Sequence, residues 1–284
     1  MSSYDRRNWV RQVFYLRGWA LPLILPKVIV VSLVAALVNR LEVFGWLPEL
    51  PVTYFTVAGL ALSLLLAFRV NASYDRFWEG RKAWGAIVNR SRNLARQLAT
   101  ALPQDEARRG AALITAFAHA TRRQLRRETA VPELAKLLSA ADAASIAAAP
   151  RPALAVLAAL GCLLATARHE RRLDSIDESR MEADVAHLTD QIGICERIQS
   201  TPIPIAFVVY LRHLLIGYCI GLPMVLHQPS NSSAAPLGTA LIACVFFGLD
   251  RIAIEIEDPF EATIHGLDLD GICARIETDV LGGS

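Results

Sequence analysis

The strongest constraint on this chain is the placement of its uncharged apolar runs. From about Leu21 to Val38 the only interruptions are Lys27 and Ser32, with Pro22 and Pro26 near the start, and from Val52 to Phe68 no charged residue occurs. A third run, Ile203 to Leu226, carries Arg212 and His213 together with Pro204 and Pro223. A fourth, Leu237 to Ile254, is uncharged as far as Leu249 and then meets Asp250 and Arg251. Crossing the hydrocarbon core of a bilayer takes about 20 residues of helix, so all four read as membrane spans, the second most cleanly. Composition agrees: 54% of the residues are hydrophobic, against about 45–50% for soluble chains.

One further run competes. Pro152 to Ala167 is apolar but short, and Arg151 and Arg168 flank it. Making it a span would place an arginine-rich flank on each side of the membrane, so it is assigned to a buried helix of a soluble bundle. Orientation follows from the basic residues. Nineteen of the 29 Lys and Arg lie between Arg76 and Arg197, whereas the connection from Asn39 to Pro51 holds only Arg40 and the link HQPSNSSAAP holds none. Cytoplasmic segments carry the excess of Lys and Arg, which puts both termini and the middle region in the cytoplasm.

Within that middle region AWGAIVNRSRNLARQLATAL and AALITAFAHATRRQLRRE show apolar residues at helical spacing with charges opposite, the pattern of amphipathic helices. Pro103 and Pro132 mark breaks, and no strand-like alternation occurs. The fold class expected is therefore all-α, an integral membrane protein with four transmembrane helices and a cytoplasmic helical bundle. The divisions are 1–75 (a lead-in that reads either as an amphipathic segment with Trp9, Phe14, Tyr15 and Trp19 at the bilayer interface or as an ordinary packed helix, then the first two spans), 76–200 (the bundle), 201–256 (the last two spans) and 257–284 (a cytoplasmic tail). The lead-in has basic and aromatic residues but no small-residue cleavage motif, so no cleavable signal is expected.

Chemistry-bearing motifs are sparse. No P-loop, GxGxxG at a helix start, GxSxG or HExxH occurs, and His169–Glu170 sits in a run of arginines without a second histidine at ligand spacing. The five cysteines are far apart, with no CxxC, and read as buried small hydrophobes rather than a disulfide framework or zinc site. No enzyme, metal, cofactor or nucleic-acid function is expected. Charges at membrane depth are costly and face protein or water, so Arg212, Asp250, Arg251, Glu255, Glu257 and Asp258 form a set with two readings. They line an ion route, or Arg212 pairs with one of the acids and fixes the packing of the last two spans. In the second span Leu60, Leu64 and Phe68 recur every four residues and so share one helix face. That face suits either helix packing or, around a symmetry axis, stacked apolar rings that gate by dewetting.

Three segments carry a resemblance. FRVNASYDRFWEGRKAWG (Phe68 to Gly85), CERIQSTPIP (Cys195 to Pro204), and EIEDPF with GLDLDGICARIE (Glu255 to Phe260, Gly266 to Glu277) are similar, in order and place, to segments of the bestrophin family, in its prokaryotic branch. The resemblance implies a homopentamer in the inner membrane around one central pore, with lipid and permeant monovalent ions as its other partners. It places the narrow neck on Leu60, Leu64 and Phe68 and the cytoplasmic aperture on Ile176, in RRLDSIDESR. Animal members are calcium-gated anion channels with a dense acidic run after the fourth span. Here that stretch reads EATIHGLDLD, with few of the six to eight oxygens Ca²⁺ wants, so calcium gating is not expected. A weak preference for cations over chloride is expected from the prokaryotic branch. The competing function is a non-conducting membrane scaffold or sensor that binds a cytoplasmic partner.

Overall fold

The computed structural model describes residues 21–43, 51–226 and 234–282, and every regular element among them is a helix. In chain order these are α1 (Leu21–Val43), α2 (Val52–Ala101), α3 (Gln104–Leu125), α4 (Leu134–Leu137), α5 (Ala140–Ala147), α6 (Pro152–His169), α7 (Ser175–Ser200), α8 (Ile205–Gly221), α9 (Pro223–Leu226), α10 (Ala234–Glu257) and α11 (Leu269–Leu281). The aromatic lead-in, residues 44–50 of the first connection and the HQPSNSS part of the later link (227–233) fall outside the described residues.

The chain divides into two compact units. The first comprises residues 1–75 and 203–257 and contains α1, the first half of α2, α8, α9 and α10. Its main apolar cluster is built by Ile24, Val28 and Val31 of α1, Leu62 and Leu66 of α2, Leu211, Leu215 and Cys219 of α8, and Ala243, Phe246 and Phe247 of α10. Its outer surface is also apolar, with Leu33, Leu37, Ile205, Leu237 and Leu241 all more than half exposed, as expected where lipid rather than water is the solvent. Two glycines permit the close approach of α2 and α8. A Cβ on Gly59 would lie 2.6 Å from the Tyr218 hydroxyl, and one on Gly221 would lie 2.7 Å from the Phe55 ring. Small residues at such crossings are the usual means of bringing membrane helices together.

The second unit comprises residues 76–202 and 258–284. Here α3 is buried nearly all round through its middle, from Leu113 to Thr121, and packs against α6, α7 and α11. Among the described residues, five helices are long and apolar enough to cross a membrane, α6 among them. Within this unit α6 turns Val156, Leu157, Leu160, Leu163 and Leu164 into the core. The C-terminal segment packs into the same core. Leu269, Cys273, Ile276 and Val280 of α11 are buried, and Asp268 caps its start by accepting from the Gly271 N–H. Arg122 and Arg126 both bind Asp270, at 2.8 and 2.7 Å.

Helix α2 runs 50 residues without a break. The change from apolar to charged composition near Arg69 alters its surroundings but not its backbone, because no proline intervenes before Pro103, which precedes α3.

Candidate functional site

In the first half of α2 the buried positions are Leu62, Leu66, Arg69 and Ser73, spaced to form one stripe. Leu60, Leu64 and Phe68 are 68%, 55% and 56% exposed. At 3.6 residues per turn their centre lies about 170° around the helix from the buried stripe. Three large apolar side chains thus point directly away from their own chain. Large exposed apolar faces mark a partner, a ligand or a membrane.

Ile176 is equally uncovered, at 62%, on the first turn of α7. The Asp174 carboxylate caps that turn, accepting from the Ile176 and Asp177 N–H groups at 2.8 Å each. Those backbone hydrogen bonds, opposed by burial, hold Asp174 below the usual carboxylate range. The apolar side chain therefore projects from a fixed backbone into otherwise charged sequence.

The charged set separates into distinct roles. Asp250 is 3% exposed and binds Arg69, itself 1% exposed. Arg212 approaches the other carboxylate oxygen at 3.7 Å, with its side chain 45% exposed. Asp250 is thus shared, and its principal partner is Arg69, which does not stand out in the sequence. The signal is nevertheless present: Arg69 falls on the same spacing as Leu62, Leu66 and Ser73, so it has to be buried and has to find an acid. Arg251 binds Glu255 one turn on at 2.7 Å, and Glu257 accepts the Ile203 N–H at 3.1 Å, joining the ends of α8 and α10. Asp258 accepts the Phe260 N–H at 3.1 Å and lines a cavity of about 420 Å³ with Arg126, Arg127, Glu128 and Glu261.

The quoted motifs meet in the second unit. Arg76 donates to the Ile198 carbonyl at 2.6 Å and to the Thr201 carbonyl, closing the end of α7. Gly80 lets Pro259 and Phe260 lie against α2, where a Cβ would come within 3.0 Å of the proline ring. Trp84 and Phe260 are both fully buried.

Beside the exposed face of α2, the first unit bears an open groove of about 450 Å³. Its walls are Thr56, Gly59, Leu60 and Ser63 of α2, Tyr218 of α8, and Leu241, Ile242, Val245 and Phe246 of α10. Thr56 and Ser63 donate their hydroxyls back to the Val52 and Gly59 carbonyls, at 3.0 and 2.7 Å, so these two side chains present little polarity to an occupant.

Residues 1–282 match the family described as bacterial/fungal bestrophin protein. The chain is 35% identical to a voltage-dependent anion channel-forming protein of Nostoc, over 97% of this chain and 91% of that one. It is 33% identical to the Escherichia coli protein of the same description, over 99% and 93%. A bestrophin homologue from Klebsiella pneumoniae superposes with a TM-score of 0.83 at 29% identity, covering 91% of this chain and 97% of that structure.

Proposed function

The chain belongs to the bacterial and fungal bestrophin family of membrane proteins, and on that premise we propose that it is a passive ion channel of the inner membrane. Five copies surround one pore, with Leu60, Leu64 and Phe68 forming the neck and Ile176 the cytoplasmic aperture. The observation that carries this reading is the exposure of the three α2 side chains directly opposite the helix's own buried stripe. A large apolar face turned away from the core needs an environment, and a shared axis supplies one.

Rings of leucine and phenylalanine offer a passing ion no oxygen to replace its hydration water. The barrier there depends on radius and wetting. Such a neck discriminates little between anion and cation, so selection by sign falls to charged groups elsewhere along the route. The similar proteins of Nostoc and Escherichia coli bear anion-channel names, which runs against the cation preference expected from the sequence. Both termini and the second unit are assigned to the cytoplasm, where the basic residues concentrate.

Purified protein in planar bilayers under a salt gradient tests the proposal. Conduction is expected, and the sign of the reversal potential assigns the permeant ion. Truncating Leu60, Leu64 and Phe68 together to Ala is expected to raise conductance by widening and wetting the neck. Assembled, stable protein with no current would instead support the scaffold reading. Mutant assemblies with unchanged conductance and selectivity would remove these residues as the constriction.

A further inference from the structure

Resting on that reading's orientation in the membrane, we infer that the seam between α1 and α10 binds the phosphate of an anionic glycerophospholipid of the cytoplasmic leaflet, with Lys27 and Arg251 as its two cations.

Lys27 stands exposed in the apolar run of α1, with exposed Leu23 and Val30 a turn to either side of it on the same helix face. Those neighbours suit lipid, and a charge among them is costly without a counter-charge. Three arginines of the same unit have acids: Arg69 and Arg212 share Asp250, and Arg251 binds Glu255. Lys27 has no acid among the described residues. Its ammonium lies over the Phe247 ring, 5.9 Å from the centroid. A ring face holds a cation in place without neutralising it. A positioned, unneutralised charge on a lipid-facing surface calls for an anion from the lipid.

Arg251 is placed to share that anion. Two contacts fix the register of the antiparallel pair: Lys27 meets Phe247, and a Cβ on Gly248 would lie 3.9 Å from the Ile24 Cδ1. Arg251 follows Phe247 by one turn, about 40° around α10 and about 6 Å along it toward the cytoplasm, so it stays on the α1 side of the helix. Cα–Cβ bonds tilt toward each helix's own N-terminus, so in an antiparallel pair those of Lys27 and Arg251 lean toward one another. The Arg251 side chain keeps 34% exposure beside Glu255. Basic groups between spans on the cytoplasmic side are a usual seat for lipid headgroups. The surroundings select the source, because Leu23, Ile29 and Val30 are exposed and acyl chains cover such residues where soluble phosphate does not. The charge selects the class. With Glu255 balancing Arg251, the pair keeps one net positive charge, which an anionic lipid neutralises and a zwitterionic lipid, carrying its own ammonium, does not.

The test uses full-length protein in nanodiscs of equal parts phosphatidylglycerol and phosphatidylcholine with matched chains. Lipid that stays with the protein on release is counted by native mass spectrometry. Wild type is expected to retain phosphatidylglycerol in preference to phosphatidylcholine. Lys27→Gln is expected to lower that preference about fivefold, the change equivalent to about 1 kcal/mol per cation near an anionic surface. Arg251→Gln should lower it too, and Lys27→Arg should keep it, which separates charge from packing. Wild type holding both lipids equally would overturn the inference, as would Lys27→Gln with the wild-type preference. Inorganic phosphate that raises the thermal midpoint as much as phosphatidylglycerol does would show a soluble-anion site and overturn the lipid assignment. Bilayer recordings on the same protein keep the two readings apart. Conduction without a lipid preference removes this inference alone, and a lipid preference without conduction removes the channel reading alone. Reversed cysteine labelling with the preference intact would overturn the orientation, and with it the leaflet, while keeping the pair of cations.

Discussion

Asp250 is the buried acid shared by two arginines of the first unit. It lies against a fully buried Arg69, and removing one partner of such a pair leaves the other charge stranded, costing about 3–5 kcal/mol. Asp250→Asn is therefore expected to lower the thermal midpoint sharply and to reduce the yield of assembled protein. Arg212→Gln, at a half-exposed side chain 3.7 Å away, is expected to cost no more than about 1 kcal/mol. Thermal unfolding in detergent, followed by size-exclusion recovery, separates the two. A second residue-scale expectation concerns Glu133. Burial pushes its carboxyl up, but hydrogen bonds from Arg123 and Arg122 outweigh burial and hold it down at about 2, against 4.5 ordinarily. A depressed carboxylate contributes stability that is present above its unfolded value and lost as pH falls through the folded one. Wild type should thus exceed Glu133→Gln in stability at neutral pH, and the difference should vanish between about pH 4.5 and 2. The buried thiols Cys195 and Cys273, pushed by burial up to about 12, should resist alkylation at pH 8 in folded protein.

At the scale of elements, the α2–α8 crossing depends on the absence of a side chain. The Tyr218 hydroxyl stands 2.6 Å from where a Gly59 Cβ would be, and the next ring atom 3.2 Å away. Gly59→Ala is expected to destabilise by about 1–3 kcal/mol, the usual cost of overpacking, and Tyr218→Phe should recover part of that loss in the double variant. Additive effects in a thermal-melt cycle would show that the two do not meet. The helices themselves are more legible in the sequence than such crossings. Apolar runs mark α1, the first half of α2, α8 and most of α10, because lipid selects such side chains over the depth of the bilayer. Gly59 and Gly221 look like any other small residues until the ring each one admits is known. Arg69 is hidden for a related reason. A charge at the end of an apolar run reads as a boundary, and only its phase against Leu62 and Leu66 shows that it points inward.

For the whole molecule, the expectations concern topology and permeation. Cysteine at Ser232 should label from outside intact cells and cysteine at Ser175 should not; the reverse pattern would invert the orientation. Ile176→Ala should change permeation with little loss of stability, since the side chain is exposed and its removal leaves no cavity. Bilayer recordings beside melting curves check both halves of that statement. What a single sequence does not reveal here is which apolar residues face a neighbour. Lipid, core and partner all select the same side chains, and only exposure on a folded chain tells Leu60 from Leu62. The uninterrupted α2 has a corollary for the backbone. Its Val52–Asp75 portion, within the first unit, is about 36 Å of helix at 1.5 Å per residue, already more than a hydrocarbon thickness of about 30 Å. The main-chain polar groups at that depth are therefore met within the helix itself, where no water could meet them.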